Sequence, residues 1–235
     1  MITLRPSQER GHAEHGWLDA YHTFSFADYH DPAHMGFRSL RVINEDRIMP
    51  GMGFGTHPHR DMEILTYILE GRLAHQDSMG NGREIGPGQL QAMSAGTGIL
   101  HSEFNASRTE PVHLLQIWIR PANRGITPRY AEWNPPAGDS QPFTLLASRD
   151  GRENSAVIDQ DAAVYLLKLE AGSSLDHPVA PGRGVWVQVM RGNLVLEAGT
   201  AAERLGPGDG AAVEDESRLV FTAESPVEAL VFDLA

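Results

Sequence analysis

Short apolar runs separated by turn-forming residues restrict the possible folds of this chain more than any other feature. The runs are four to eight residues long, and 24 glycines and 15 prolines punctuate the 235 residues. Valine, isoleucine, leucine and aromatic residues dominate the runs, as is typical of β-strands. The clearest examples are Leu40–Ile43, Ile64–Leu69, Val112–Ile119, Val164–Leu169, Val185–Met190 and Val227–Phe232. The pattern predicts a mostly β protein with sandwich or barrel architecture.

Helical periodicity is rare in the sequence. Only Ser7–Leu18, Pro128–Trp133 and Asp159–Ala163 are predicted as helices, all of them short. Residues 120–142 are dense in proline, glycine and polar side chains. This composition predicts a connector rather than part of a sheet.

An internal repeat indicates that the strands form two similar halves. "ILTYILEGRL" (64–73) precedes "EIGPGQLQAM" (84–93), and "VWVQVMRGNL" (185–194) precedes "RLGPGDGAAV" (204–213). The offset is 120 residues from Pro87 to Pro207 and 121 residues from Gly71 to Gly192. Near-equal spacing in matching strand context predicts a duplication rather than a chance recurrence of Gly-Pro-Gly.

Charge and composition exclude several classes of partner. The formal net charge of −12, without a long basic run, argues against nucleic acid or an anionic membrane as the main partner. The absence of cysteine excludes disulfides and thiolate sites. We find no secretory signal and no apolar run near the ~20 residues that span a bilayer. A cytoplasmic protein is therefore expected.

Two pairs of potential metal ligands occur in the first half. His57 and His59 are two residues apart, and so are His101 and Glu103. On a strand, such residues point to the same face, so two neighbouring strands could bring all four to one point. A His-x-His pair alone favours a solvated strand, but the second pair shifts the prediction to a metal site. Nitrogen and oxygen donors suit one divalent Fe, Mn, Co, Ni, Cu or Zn ion.

The same segments resemble a known family. "GMGFGTHPHRDMEILTYILEG" (51–71) and "GTGILHSEFN" (96–105), followed by "LLQIWI" and "TPRY", resemble the pirin-like branch of the cupin superfamily. Within that branch they are most similar to bacterial pirin-like quercetin 2,3-dioxygenases. The resemblance implies two tandem cupin (jelly-roll-like) β-barrels or sandwiches with few short helices. Residues 1–135 would form the metal-binding domain with an N-terminal extension, and residues 136–235 a degenerate cupin domain without ligands.

The resemblance also implies the ligand set His57, His59, His101 and Glu103. Many other cupins use a glutamate at the position of Glu63 instead. Strand alternation puts residues 57, 59, 61 and 63 on one face, so spacing alone does not exclude Glu63 as a ligand. The repeat offset places Pro178, Ala180, Phe221 and Ala223 at the positions of the four ligands in the second half. One metal site per chain is therefore expected, with His177 structural.

The function implied by the resemblance is a metal-dependent dioxygenase that cleaves flavonols such as quercetin. Its partners would be a small aromatic substrate and dioxygen, with Glu103 or Glu63 as general base. Met52, Phe54, Met93 and Phe104 could line the cavity, although ordinary core packing explains them equally well. Two alternatives stay open. One is a non-enzymatic regulator that binds a protein partner and uses the metal as a redox sensor. The other is a cupin isomerase or similar small-molecule enzyme.

Overall fold

Strands make up nearly all of the regular secondary structure. A computed structural model describes residues 1–136 and 141–235. Two short 3₁₀ helices, Ser7–Glu9 and Arg152–Asn154, interrupt the strands. Within the described ranges, no helix has the length and apolar character needed to cross a membrane. The sequence prediction of a mostly β fold is confirmed.

The chain forms two compact units. One unit, here called the N-terminal barrel, runs from Gly11 to the end of the first described range and adds Arg149–Gln160. The other, the C-terminal barrel, contains Met1–Arg10, the segment ending at Ser148, and Asp161–Ala235. The first ten residues join it because Ile2–Arg5 pairs with Gly210–Val213. Residues 137–140, which follow the predicted domain boundary, lie outside the described residues.

The N-terminal barrel consists of a larger and a smaller antiparallel sheet. Its strands are β2 (Gly11–Glu14), β3 (Leu18–His22), β4 (Leu40–Ile48), β5 (Gly53–His59), β6 (Glu63–Glu70), β7 (Leu73–Asp77), β8 (Gly82–Ile85), β9 (Leu90–Ser94), β10 (Ile99–Asn105), β11 (Val112–Ile119) and β12 (Arg129–Trp133). The larger sheet has the order β12-β9-β6-β11-β4-β3-β2, and the smaller has the order β5-β10-β7-β8. Buried apolar side chains from both sheets, such as Ile68 and Leu73, pack together between them.

The C-terminal barrel repeats this topology. Its strands are β1 (Ile2–Arg5), β13 (Phe143–Ser148), β15 (Ala162–Leu169), β16 (Ser174–Pro178), β17 (Gly184–Arg191), β18 (Leu194–Ala198), β19 (Ala201–Leu205), β20 (Gly210–Val213), β21 (Arg218–Ala223) and β22 (Val227–Leu234). The short strand β14 (Ala156–Val157) lies before β15 in sequence, in the segment 149–160 that belongs to the N-terminal barrel. The order β20-β17-β22-β15 corresponds to β9-β6-β11-β4, and β16-β21-β18-β19 corresponds to β5-β10-β7-β8.

Turn geometry confirms the duplication. The Gly86 N–H donates to the Gln89 side chain at 2.5 Å, and the Gly206 N–H donates to the Asp209 carboxylate at 2.7 Å. Gly71 and Gly192 both have positive φ, at 77° and 80°. A Cβ on Gly71 would collide with the carbonyl oxygen of Pro111, and a Cβ on Gly192 with that of Pro226. Each proline directly precedes a long strand, β11 or β22.

We expect Gly192→Ala to destabilise the protein. The left-handed backbone costs a residue with a Cβ about 1–2 kcal/mol, and the collision with Pro226 adds to that loss. Gly172→Ala is the matched control, because Gly172 has φ of 78° but open space around its Cα. Denaturant titration should show a larger loss of unfolding free energy for Gly192→Ala. Equal losses would contradict the proposed close approach.

The predicted helices are wrong apart from one turn at Ser7–Glu9. Residues 11–14 instead pair with residues 19–22, and Gly16 has the positive φ of the turn between them. Arg129–Trp133 pairs with β9, so the predicted connector 120–142 contains a strand. Residues 159–161 are bends, and residues 162–163 are the first two residues of β15. In each case tertiary pairing overrides a weak local periodicity.

Candidate metal centre and its pocket

Two adjacent strands bring three histidines together. β10 pairs with β5 so that His101 lies opposite His57 and Ile99 lies opposite His59. One ring nitrogen of each histidine lies within 4.8 Å of those of the other two. The ring centroids are 4.4 Å apart for His57 and His101, and 4.8 Å apart for His59 and His101. Three of the four predicted ligands therefore converge.

The state of the rings suits a divalent metal. His101 is buried, and neither of its ring nitrogens has a hydrogen-bond partner among the described residues. Burial, helped by the neighbouring His57, lowers the pKa of His59 to about 4 and that of His101 to about 3. Both rings are thus neutral at pH 7 and have a lone pair for a metal. His57 Nδ1 lies 2.8 Å from the Gly55 carbonyl oxygen, which leaves Nε2 as the nitrogen available to a metal.

Glu103 lies beside the histidine cluster and is fixed by two side chains of the larger sheet. Gln116 Nε2 donates to its carboxylate at 2.9 Å, and the Thr66 hydroxyl donates at 3.3 Å. Burial raises the pKa of Glu103 to about 7, against the opposing effect of these two hydrogen bonds. The carboxyl can therefore exchange a proton near neutral pH. Its oxygens are outside the group formed by the three ring nitrogens.

A β-bulge shapes the strand that carries His57 and His59. Glu103 pairs with Phe54 although His101 pairs with His57, so β5 has one extra residue in this interval. Bulges of this kind change the direction of a side chain and are frequent near active sites. Phe54 and His57 consequently line the same pocket despite their odd spacing.

Glu63 is directed away from the cluster. β5 ends at His59, and a turn at residues 60–62, where Asp61 has φ of 49°, separates it from β6. The alternation assumed from 57 to 63 therefore does not hold. On β6, Thr66 faces Glu103, so Glu63 points to the opposite face. Its carboxylate accepts a 2.7 Å hydrogen bond from Ser94, and burial raises its pKa. Glu63 is absent from the described residues that line the pocket.

A pocket of about 410 Å³ opens onto the histidines. Its walls include Trp17, Phe54, Phe26 and Trp118. Trp17 and Phe54 meet edge to face at 5.3 Å, as do Phe26 and Trp118, and the Trp118 ring is 5.0 Å from His59. Aromatic walls and this volume suit a flat, drug-sized ligand.

Of the four apolar residues considered from the sequence as cavity lining, Phe54 does line the pocket. Met52 and Phe104 are 44% and 40% exposed, and Met93 packs in a small core cluster with Ile64. None of these three is among the described lining residues.

A row of polar side chains across the larger sheet was missed from the sequence. Strand register places side by side His22, Asn44, Gln116, Thr66 and Gln91, each on a different strand. His22 Nδ1 and Asn44 Oδ1 are 2.8 Å apart.

His22, Asn44 and Gln116 line the pocket together with Asp46. Burial and the nearby charge of Glu103 raise the pKa of Asp46 to about 8. Thr66 and Gln116, single polar residues within apolar runs, were the available signal.

The C-terminal barrel has no equivalent cluster in the part of the chain that the structure describes. β21 pairs with β16 so that Leu219 lies opposite His177, the relation that His101 has to His57. Leu196 lies opposite Phe221 as His75 lies opposite Glu103. The equivalents of the four ligands are thus His177, Val179, Leu219 and Phe221. The offsets predicted from the sequence were wrong by up to two residues, because the loops differ in length. The expectation of a single site holds for the described residues.

Known proteins share this architecture. The Pirin family matches residues 3–119, and the family described as the quercetinase C-terminal cupin domain matches residues 145–234. The quercetin 2,3-dioxygenase of Escherichia coli (strain K12) is 51% identical over 234 residues, which cover 100% of this chain and 99% of that protein. A pirin-like protein of Caulobacter vibrioides is 40% identical over 240 residues, which cover 100% of both chains.

A solved structure extends the comparison to the metal. The bacterial pirin YhhW of Escherichia coli in complex with nickel(II) is 50% identical to this chain and has a TM-score of 0.94, with 100% of this chain and 99% of that chain covered. The three-histidine group described above fits one divalent metal ion. Sequence identity over the full length, with both barrels matched, shows that this chain belongs to the pirin family of two-cupin proteins.

Proposed function

We propose that this protein is a metal-dependent dioxygenase that cleaves flavonols such as quercetin with dioxygen. The observation that carries the proposal is the convergence of His57, His59 and His101 at a pocket with aromatic walls. A cysteine-free site with an open pocket is unlike a closed structural zinc site. The naming of relatives as quercetin 2,3-dioxygenases supports the same substrate class.

The proposed ligand set is the three histidines and Glu103. A divalent metal bound there would lower the pKa of the flavonol 3-hydroxyl and orient the substrate for reaction with dioxygen. The aromatic walls would hold the flat ring system, and the half-buried pocket would keep bulk water away from it. Hydrogen bonds from Thr66 and Gln116 hold the Glu103 carboxylate in one orientation.

We assign the role of general base to Glu103. It lines the pocket, and its carboxylate, once released from the metal, can accept the proton of the 3-hydroxyl. Glu63, the other candidate from the sequence, bonds to Ser94 on the far side of its strand. We therefore propose a structural role for Glu63.

A regulator that acts through a protein partner is the second candidate. Met52, just before β5, and Phe104, on β10, are both exposed. Two exposed side chains cover little area compared with the few hundred Å² typical of binding surfaces. The pocket therefore favours a small-molecule substrate over a protein partner. A cytoplasmic location and the absence of nucleic-acid or membrane partners remain parts of the proposal.

The test is the consumption of quercetin by protein reconstituted with individual metals, in air and under nitrogen. We expect loss of the flavonol absorbance only in air and only with metal. No oxygen-dependent loss with any metal would favour the regulator.

A further inference from the structure

The polar row of the N-terminal barrel is replaced by mostly apolar residues in the C-terminal barrel. The shared fold therefore does not require these polar side chains. In the C-terminal barrel the equivalents of Asn44, Gln116, Thr66 and Gln91 are Tyr165, Val231, Val187 and Ala211. Asp46, which pairs with Leu114 of β11, corresponds to Leu167, which pairs with Ala229. Leu167 is fully buried in an apolar core. The same framework therefore folds with leucine at the position of Asp46.

Asp46 is buried without adequate partners. It is 4% exposed, and its Oδ1 has no hydrogen-bond partner among the described residues. Its cross-strand neighbours are Ala20 and Leu114, neither of which has a side chain that can form a hydrogen bond. A buried carboxyl in such surroundings costs folding free energy. Since the other barrel avoids this cost, the group is better explained by a ligand than by the fold.

The pocket supplies the place for that ligand. Asp46, Asn44 and His22 line it together with His57, His59 and Glu103. The His22–Asn44 hydrogen bond fixes two of these polar side chains beside Asp46. A phenolic hydroxyl both donates and accepts hydrogen bonds, so it pairs with a carboxyl group in either protonation state. A flat aromatic ligand between the aromatic walls would carry phenolic hydroxyls at the edge of its ring system.

We infer that Asp46 recognises a phenolic hydroxyl of the substrate other than the one held at the metal ligands, with Asn44 and His22 as supporting groups. The inference rests on the proposed function and narrows its substrate class to flavonols with additional ring hydroxyls. Asp46 is then a specificity-determining residue. A site that hydrogen-bonds a substrate hydroxyl discriminates against the analogue that lacks it, because the buried polar group is left unpaired.

The test compares quercetin with 3-hydroxyflavone, which retains the 3-hydroxyl but has no other. Binding to the metal-loaded protein is followed under nitrogen by quenching of tryptophan fluorescence, since Trp17 and Trp118 line the pocket. We expect wild-type protein to bind quercetin at least about tenfold more tightly than 3-hydroxyflavone. Asp46→Leu, which copies the residue of the other barrel, should reduce this ratio at least about fivefold by weakening quercetin binding alone. In air it should still consume 3-hydroxyflavone.

Two further variants keep the result interpretable. Asp46→Asn should retain most of the preference, because an amide also forms hydrogen bonds with a phenol. Glu45→Gln is the matched control on the same strand, since Glu45 faces His113 on the opposite side of the sheet. It should leave the ratio unchanged. An undiminished preference in Asp46→Leu, or none in the wild type, would overturn the inference. Failure of every variant to consume either flavonol with any metal would instead refute the proposed function.

Discussion

His59→Ala should lose its metal and, with it, flavonol turnover. The His59 ring lies between His101 and Trp118, at 4.8 and 5.0 Å, and its neutral form is favoured by burial. Loss of a residue that merely supports a ligand lowers metal affinity about 10–100-fold, so loss of a ligand should exceed about 100-fold. Elemental analysis of the purified variant should find less than about a tenth of the wild-type metal, with turnover falling in proportion.

His177→Ala is the control for this variant. His177 is the equivalent of His57 in the C-terminal barrel, where its ring packs 5.0 Å from Phe143. We expect its removal to leave one metal per chain and to affect only stability. Full metal content in His59→Ala, or loss of metal in His177→Ala, would place the centre elsewhere.

Glu103→Gln should keep the fold and lose most of the turnover. The amide has the volume of the carboxyl group, and its oxygen can still accept hydrogen bonds from Thr66 and Gln116. It cannot accept the proton of the 3-hydroxyl. General base catalysis contributes about 10²–10⁴-fold, so the rate constant kcat should fall within that range. Metal affinity should fall too, since an amide oxygen is a weaker ligand than a carboxylate.

Glu63→Gln distinguishes the two glutamates. The glutamine at position 63 could keep the hydrogen bond to Ser94, and residue 63 does not line the pocket. We therefore expect kcat within a few-fold of the wild type. Steady-state rates for both variants, measured at saturating quercetin, provide the comparison. Loss of turnover in Glu63→Gln with retention in Glu103→Gln would reverse the assignment.

The sequence was informative where local pattern and burial agree. Every long apolar run predicted as a strand, such as Val112–Ile119, lies in one. The turn that repeats at Gly71 and Gly192 was visible because only glycine fits it. The grouping of His57 and His59 with His101 was predictable from two pairs at strand spacing.

Other features depended on information that a single sequence does not contain. The turn at residues 60–62 breaks the alternation that seemed to connect His59 to Glu63. The bulge in β5 changes the spacing between Phe54 and His57. The row from His22 to Gln91 joins side chains at positions 22, 44, 66, 91 and 116. Only the register of the five strands shows that these side chains are neighbours. Asp46 looked like one charge in an acidic strand until pairing showed its apolar neighbours.

We propose that the three-histidine centre directs dioxygen to a flavonol. The most direct measurement follows quercetin loss, dioxygen uptake and carbon monoxide release together, in protein loaded with one metal at a time and in His59→Ala. We predict equal amounts of quercetin and dioxygen consumed and of carbon monoxide released, and none of the three changes in His59→Ala. Quercetin loss without dioxygen uptake, or the same rate in His59→Ala, would contradict the account.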